Sequence, residues 1–123
     1  MNGLFVFIGG GFGAFVRYLL YLILPKASYL PMSTLTANFF GCFIGAFVFI
    51  YFVTKSDLNS AYKIFFITGF CGGLSTLSAL SIELFEFIQA GEYLRAFIYV
   101  LTTIIICTAA VILSTILVKH NFN

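Results

Sequence analysis

Four long apolar segments follow one another along the chain, and most of the charged residues fall between them. The segments span about residues 4–24, 32–54, 64–90 and 96–118. Each is at least as long as the roughly 20 residues that a helix needs to cross the hydrocarbon core of a bilayer. Because the connections are short, successive helices are expected to be antiparallel neighbours. The pattern predicts an all-α membrane protein, a single domain over residues 1–123 with four transmembrane helices.

The composition indicates that lipid is the main solvent of this chain. Hydrophobic residues make up 62% of it and charged residues only 8%, whereas soluble domains carry about 25% charged residues. The mean hydropathy is +1.12. The six basic residues are scattered, which argues against a nucleic-acid-binding surface. We therefore predict a multi-pass protein of the cell membrane.

Candidate catalytic chemistry is missing from the sequence pattern. The three cysteines, Cys42, Cys71 and Cys107, all lie inside apolar segments, where small core residues are expected. No Ser/His, Cys/His or metal-ligand constellation is apparent at a useful spacing. The sequence therefore predicts that the protein is not an enzyme.

The third apolar segment contains the most polar stretch of the spans. Two adjacent glycines, Gly72 and Gly73, weaken a helix there. They are followed by hydroxyl side chains at Ser75, Thr76, Ser78 and Ser81. Backbone groups released within hydrocarbon need protein, ion or water partners. The pattern predicts a third helix that is broken near its middle, which is typical of an ion or substrate path.

Polar residues also lie within the second and fourth segments. Thr34 and Asn38 are four residues apart on one face of the second helix, and Tyr99 and Thr103 have the same spacing on the fourth. A hydroxyl in a membrane helix commonly bonds to its own helix. The amide of Asn38 fits two roles, an interhelical hydrogen bond or the lining of a path. Hydroxyl and amide donors solvate anions well, and the absence of a carboxylate ring favours an anion path.

Besides Glu86 in the third span, two charged residues lie inside the predicted spans. Arg17 is close enough to the end of the first span to snorkel as an interface anchor, or it could form a positive vestibule for anions. Glu83 could pair with a basic group or cap the path. Both are candidate vestibule residues.

The balance of basic residues leaves the orientation in the membrane open. Cytoplasmic loops normally carry an excess of Lys and Arg. One side of the predicted topology has three basic residues, and so does the other: Lys55, Lys63 and Lys119 against Arg17, Lys26 and Arg95. Two interpretations remain, a weak orientation signal or a chain that inserts both ways round and forms an antiparallel dimer.

Small residues recur every four positions on two helices. Gly9 and Gly13 lie on the first, and Ala37, Gly41 and Gly45 lie on the second. This spacing allows close approach of another helix backbone, within or between subunits. Since four helices enclose little volume, an oligomer is favoured, with a path lined partly by facing subunits.

Three motifs together resemble those of one family of membrane proteins. The run Gly9–Tyr18 resembles an opening GGxxGAxxRY signature, and Thr34–Gly45 resembles an NxxGxFxxG motif on the second helix. Gly69–Glu83 is similar to a third-helix GxxGGLTTFSTFSxE motif. All three are motifs of the small fluoride channels, the CrcB or Fluc family. They occur in order and in the expected spans, and the resemblance covers nearly the whole chain.

The resemblance implies a passive fluoride-selective channel of the bacterial inner membrane, which exports fluoride and lowers its cytoplasmic concentration. It implies an antiparallel, dual-topology homodimer with two fluoride pores, each lined by both subunits. It also implies a central sodium ion bound by backbone carbonyls, which fall on Gly72 and Ser75 in this chain. The polar pore residues of the family fall on Thr34, Asn38, Ser78, Ser81, Tyr99 and Thr103.

The chain departs from the family motif at Leu77 and Leu80, where the motif has two phenylalanines. The resemblance implies that ring edges at these pore positions help to coordinate fluoride. A ring edge is electropositive, whereas a leucine methyl group is nearly neutral. The replacement predicts slow or absent conduction by this chain alone. It fits a divergent or engineered channel, a subunit that works beside a different chain, or a non-conducting structural relative.

A small secondary transporter is a further alternative. Such a transporter is expected to have a carboxylate early in the first span, and the sequence has none there.

Overall fold

The structure, a computed structural model, describes residues 2–26, 28–54 and 60–122. Within these ranges the regular structure is entirely helical. Six α-helices and one π-helical segment follow one another. They are α1 (Asn2–Ile23), α2 (Met32–Thr54), α3 (Ser60–Lys63), the π-helical segment (Ile64–Cys71), α4 (Gly72–Leu74), α5 (Leu77–Gln89) and α6 (Tyr93–Phe122).

Among the described residues, four spans are long and apolar enough to cross a membrane, which confirms the prediction from hydropathy. They are Asn2–Ile23, Met32–Val53, Ala61–Gln89 and Tyr93–His120. Helix α6, which forms the fourth span, begins three residues before the predicted segment. The reason is that hydropathy marks the apolar part of a helix and not its polar first turn. In the predicted loop between the second and third spans, residues 55–59 lie outside the described residues, and residues 60–63 form α3.

The third span is interrupted, as the sequence predicts, but the interruption is three residues later than the glycine pair. Gly72 and Gly73 remain helical, while Ser75 (ψ 150°) and Thr76 (ψ 118°) are extended. A Cβ atom at Gly73 would lie 3.0 Å from the Cα of Gly10, so this glycine permits close packing against α1. The helical half-spans remain nearly aligned, with a bend of only 15°.

The small residues of α1 pack against the backbone of the third span. Gly9 and Gly13 are its buried residues. A Cβ atom at Gly13 would lie 2.8 Å from the backbone nitrogen of Leu74 and 3.0 Å from the carbonyl carbon of Phe70. The predicted helix–helix contact is therefore confirmed for α1, and it is a contact within one subunit.

The small residues of α2 face the same span just before the break. A Cβ atom at Gly41 would lie 2.8 Å from the Cβ of Ser75, and one at Gly45 would lie 3.6 Å from the sulfur of Cys71. Ala37 is fully buried. The third span is thus held between α1 and α2, and its extended residues lie in a closely packed environment.

The second and fourth spans pack along their length and enclose a small apolar core. Ser114 on α6 donates a hydrogen bond to the carbonyl oxygen of Phe43 on α2 at 2.6 Å. The core cluster joins α2, α5 and α6, and it contains Leu35, Leu80, Phe87, Ala96 and Tyr99. Many large apolar side chains elsewhere are exposed on the single subunit, as expected where lipid or another subunit covers the surface.

The packing of α1 predicts that Gly13→Ala destabilises the protein. The nearest atoms to a new methyl group are backbone atoms that cannot rotate away, so we expect a loss of about 1–3 kcal/mol. The thermal midpoint of the detergent-solubilised protein measures the effect. Gly11→Ala is the matched control, because a Cβ atom at this position of the same helix would meet no packed neighbour within 4 Å. Equal destabilisation by both substitutions would contradict this account of α1 packing.

Candidate functional site

The side-chain amide of Asn38 hydrogen-bonds to the backbone at the break in the third span. Its Oδ1 accepts a hydrogen bond from the backbone N–H of Thr76 at 2.6 Å. Its Nδ2 donates to the carbonyl oxygen of Thr76 at 3.3 Å. Both residues are 7% exposed. A side chain of α2 therefore supplies the partners that the backbone of an extended residue lacks within a membrane.

The side chain of Thr76 begins the second half of the span. Its Oγ1 accepts a hydrogen bond from the backbone N–H of Ala79 at 3.2 Å, which makes Thr76 the N-cap of α5. The hydroxyl of Ser78 lies 3.1 Å from the same oxygen. The break thus creates a new helix N-terminus in the interior of a transmembrane span, and this end of a helix carries partial positive charge.

Among the backbone carbonyls that lose their helical partners at the break are those of Gly72 and Ser75. In a continuous helix the carbonyl of Gly72 would accept from the N–H of Thr76, and the carbonyl of Ser75 would accept from the N–H of Ala79. Both N–H groups instead donate to side-chain oxygens of Asn38 and Thr76. These are the two carbonyls that the sequence resemblance assigns to sodium.

The released carbonyls fit the chemistry of a hard cation. Such ions prefer oxygen ligands, including backbone carbonyls. Gly72 is exposed on the subunit, and a Cβ there would approach only the carbonyl oxygen of Ile67, at 4.0 Å. Among the described residues no group of three or more His, Cys, Asp or Glu side chains forms an alternative metal site.

Glu83 on α5 accepts two hydrogen bonds from hydroxyl groups of neighbouring helices. Thr34 on α2 donates to its Oε1 at 2.7 Å, and Tyr99 on α6 donates to its Oε2 at 2.5 Å. Thr34 is 5% exposed and Tyr99 is fully buried. The structure therefore joins three of the predicted site residues in one network, and the partners of Glu83 in it are hydroxyls.

A cavity of about 300 Å³ connects this network with the break. Its wall includes Arg17 from α1, Thr34 from α2, and Thr76 and Glu83 from the third span. The two predicted vestibule residues thus line one cavity. Its wall contains a cationic group, a carboxylate and hydroxyls, while most of the surrounding surface is apolar.

A neighbouring cavity of about 290 Å³ extends from Glu83 toward the ends of the helices. It shares Tyr21, Ser33 and Glu83 with the first cavity and adds the basic residues Lys26 and Arg95. Together the two cavities place three basic side chains and the carboxylates of Glu83 and Glu86 around the approach to the break.

Arg95 holds the first loop at the mouth of this approach, a role that the sequence analysis missed. Its Nε donates to the carbonyl oxygen of Tyr29 at 2.6 Å, and its Nη1 forms an ion pair with Glu92 at 2.5 Å. The guanidinium carbon lies 4.2 Å from the ring centroid of Phe87. The sequence gives only a weak signal of this role, because Tyr29 lies 66 residues away from Arg95.

The remaining predicted site residues are more dispersed on the single subunit. Thr103 and Ser81 donate to carbonyl oxygens of their own helices, those of Tyr99 and Leu77, at 2.8 and 2.9 Å. Ser78 is exposed. These hydroxyls adopt the local bonding that is common in membrane helices, apart from Ser78, which contacts Thr76 at the N-cap.

Leu77 and Leu80 occupy different environments although they are three residues apart on α5. Leu77 is 75% exposed, whereas Leu80 is 8% exposed and belongs to the core cluster with Tyr99. On the single subunit the two side chains therefore do not share one cavity wall.

The family assignment follows from comparison with known sequences. The family profile described as "CrcB-like protein, Camphor Resistance (CrcB)" matches residues 4–115. The chain belongs to the CrcB family. As a CrcB-family chain with four apolar spans, it is a multi-pass protein of the cell membrane.

Relatives of this CrcB-family chain have nearly the same length. A protein of Pyrococcus abyssi is 39% identical, with 95% of each chain covered. One of Azobacteroides pseudotrichonymphae is 40% identical, with 91% of each covered. One of a Nitratiruptor species is 40% identical over 94% of this chain and 91% of its own. Each of the three is named "Fluoride-specific ion channel FluC".

Proposed function

We propose that the protein is a passive, fluoride-selective ion channel that exports fluoride from the cell. Membership of the CrcB family and the names of its relatives support this activity. The observation that carries it is the helix break inside the third span, reached through a cavity lined by Arg17 and by hydroxyl groups. A dehydrated anion needs hydrogen-bond donors and positive charge. Arg17 and the N-terminus of α5 offer both there, in a cavity that also contains the carboxylate of Glu83.

The proposed fluoride path runs from the cavity lined by Lys26 and Arg95 to the break and then along α5. Arg17 and Glu83 form its vestibule, with Thr34 and Tyr99 supplying the hydroxyls beside the carboxylate. The N-terminus of α5 contributes partial positive charge in the interior of the span. The further lining residues that we propose are Asn38, Leu77, Ser78, Leu80, Ser81 and Thr103.

We also propose a structural sodium ion, bound by the carbonyl oxygens of Gly72 and Ser75. The support is the pair of released carbonyls at the break, whose N–H partners donate to Asn38 and Thr76. When bound, the ion would supply the positive charge that these carbonyls lack within hydrocarbon. The chain's own contribution is to hold the carbonyls in the extended turn.

An antiparallel homodimer is the proposed assembly. Balanced basic residues on the two sides support dual insertion. The exposed positions of Leu77, Ser78 and Gly72 support it as well, because proposed ligands on the surface of one subunit need a facing subunit to enclose them.

Dual insertion predicts labelling of the C-terminal end from both sides of the membrane. Lys119→Cys provides the label at an exposed position, after replacement of Cys42, Cys71 and Cys107. An impermeant maleimide should modify about half of the protein from outside intact vesicles, and the remainder after permeabilisation. Modification of all the protein from one side only would contradict the dual-topology dimer.

The channel activity is tested with purified protein in liposomes. Fluoride-loaded vesicles should release fluoride when a potassium ionophore balances the charge, and chloride-loaded vesicles should retain chloride. Ion-selective electrodes follow both anions, and protein-free vesicles give the leak. Chloride release as fast as fluoride release would contradict fluoride selectivity.

The two leucines predict a slow channel. Because methyl groups offer fluoride little electrostatic replacement for water, Leu77→Phe together with Leu80→Phe should increase fluoride efflux without admitting chloride. Leu77→Phe adds its ring at an exposed position, whereas Leu80→Phe enlarges a side chain in the core and should cost about 1–3 kcal/mol. Each single variant is therefore measured as well.

Equal fluoride efflux from the original and double-Phe proteins would mean that ring edges are dispensable in this chain. Fluoride efflux from neither protein would instead favour the second candidate function, a non-conducting or partner-dependent subunit. The observation that favours this alternative is the same pair of leucines.

A further inference from the structure

We propose that Asn38 and Thr76 are positioning residues for the cation site at the break. Each side chain holds one backbone N–H away from a carbonyl that the site requires. Asn38 thereby frees the carbonyl of Gly72, and Thr76 frees the carbonyl of Ser75. The inference rests on the sodium site of the proposed function, and it gives Asn38 a task beyond the lining of a path.

The geometry at Asn38 supports this task. The bond from the N–H of Thr76 to its Oδ1 is 2.6 Å long, and Nδ2 is also engaged with the same residue. The amide is therefore held by the backbone N–H and C=O of one residue, and its oxygen accepts from an N–H group. Removing it would leave the N–H of Thr76 without its partner in an apolar environment. The N–H of Thr76 could then donate to the carbonyl of Gly72, which is its partner in a continuous helix.

The geometry at Thr76 supports the second half of the proposal. Its Oγ1 accepts the N–H of Ala79, which in a continuous helix would bond to the carbonyl of Ser75. Because Ser75 and Thr76 have extended ψ angles, the carbonyl of Ser75 does not take the orientation of a helical carbonyl toward the N–H of Ala79. Without the Thr76 hydroxyl, the first turn of α5 loses its cap and the N–H of Ala79 becomes available to Ser75.

The two side chains therefore connect the cation site with the helices around it. Asn38 belongs to α2, so the packing of α2 on the third span sets the position of the Gly72 carbonyl. Gly41, one turn after Asn38, allows this approach, since a Cβ there would lie 2.8 Å from the Cβ of Ser75. Loss of either hydrogen bond should reduce the affinity for sodium before it removes the fold.

Sodium-dependent thermal stability tests the proposal without reference to flux. The midpoint of unfolding is measured in detergent against sodium chloride, with N-methylglucamine chloride holding the ionic strength constant. Binding to the folded protein raises the midpoint. Asn38→Ala should raise the half-saturating sodium concentration about tenfold or more, since it removes buried hydrogen bonds. Thr76→Val should raise it about fivefold through the lost cap.

Two matched variants serve as controls. Thr76→Ser keeps the hydroxyl and should retain the sodium response of the original protein. Thr34→Val removes a hydroxyl of similar burial that bonds to Glu83 and not to the break. It should retain the sodium response even where fluoride efflux falls. If Asn38→Ala fails to fold, the comparison of Thr76→Val with Thr76→Ser decides the question.

The outcomes separate this proposal from the channel proposal. An unchanged sodium response in Asn38→Ala or Thr76→Val would overturn the positioning role, as would an equal loss in Thr34→Val. Fluoride efflux without any sodium response would overturn it too, and would leave the channel intact. A shifted sodium response in a protein that releases no fluoride would support the positioning role and contradict the channel.

Discussion

The pairing of the Asn38 amide with the backbone of Thr76 is the interaction on which the rest of this structure depends. A transmembrane helix can leave its regular hydrogen-bonding pattern only where other groups take the released N–H and C=O. Asn38 takes both groups of one residue, and Thr76 caps the helix that follows. The break can then provide carbonyls with partial negative charge on one side and a helix N-terminus with partial positive charge on the other.

Close packing makes this pairing possible. The glycines of α1 and α2 bring both helices within van der Waals contact of the third-span backbone, so a short side chain such as Asn38 can reach it. Membrane helices gain little from the hydrophobic effect on association, and small residues at the contact compensate through packing. The same features that hold the fold together thus determine where the polar site lies.

The sequence predicted the four spans well, because a hydropathy signal of about 20 residues depends little on tertiary structure. The position of the break was less predictable: Gly72 and Gly73 weaken an isolated helix, but both remain helical, and Gly73 packs closely against Gly10 of α1. The partner of Asn38 could not be predicted, since it lies 38 residues away. The pairing of Glu83 with Tyr99 likewise depends on how α5 and α6 pack.

The central claim is our proposal that this hydrogen-bonded break gives the membrane a path for fluoride, with the proposed cation bound at the break. The reversal potential across a planar bilayer tests it most directly, with protein incorporated between solutions of unequal sodium fluoride and equal sodium chloride. The account predicts a reversal potential at the fluoride equilibrium potential that does not move when chloride is replaced on one side. A potential that follows the sodium gradient, or that shifts with chloride, would contradict it.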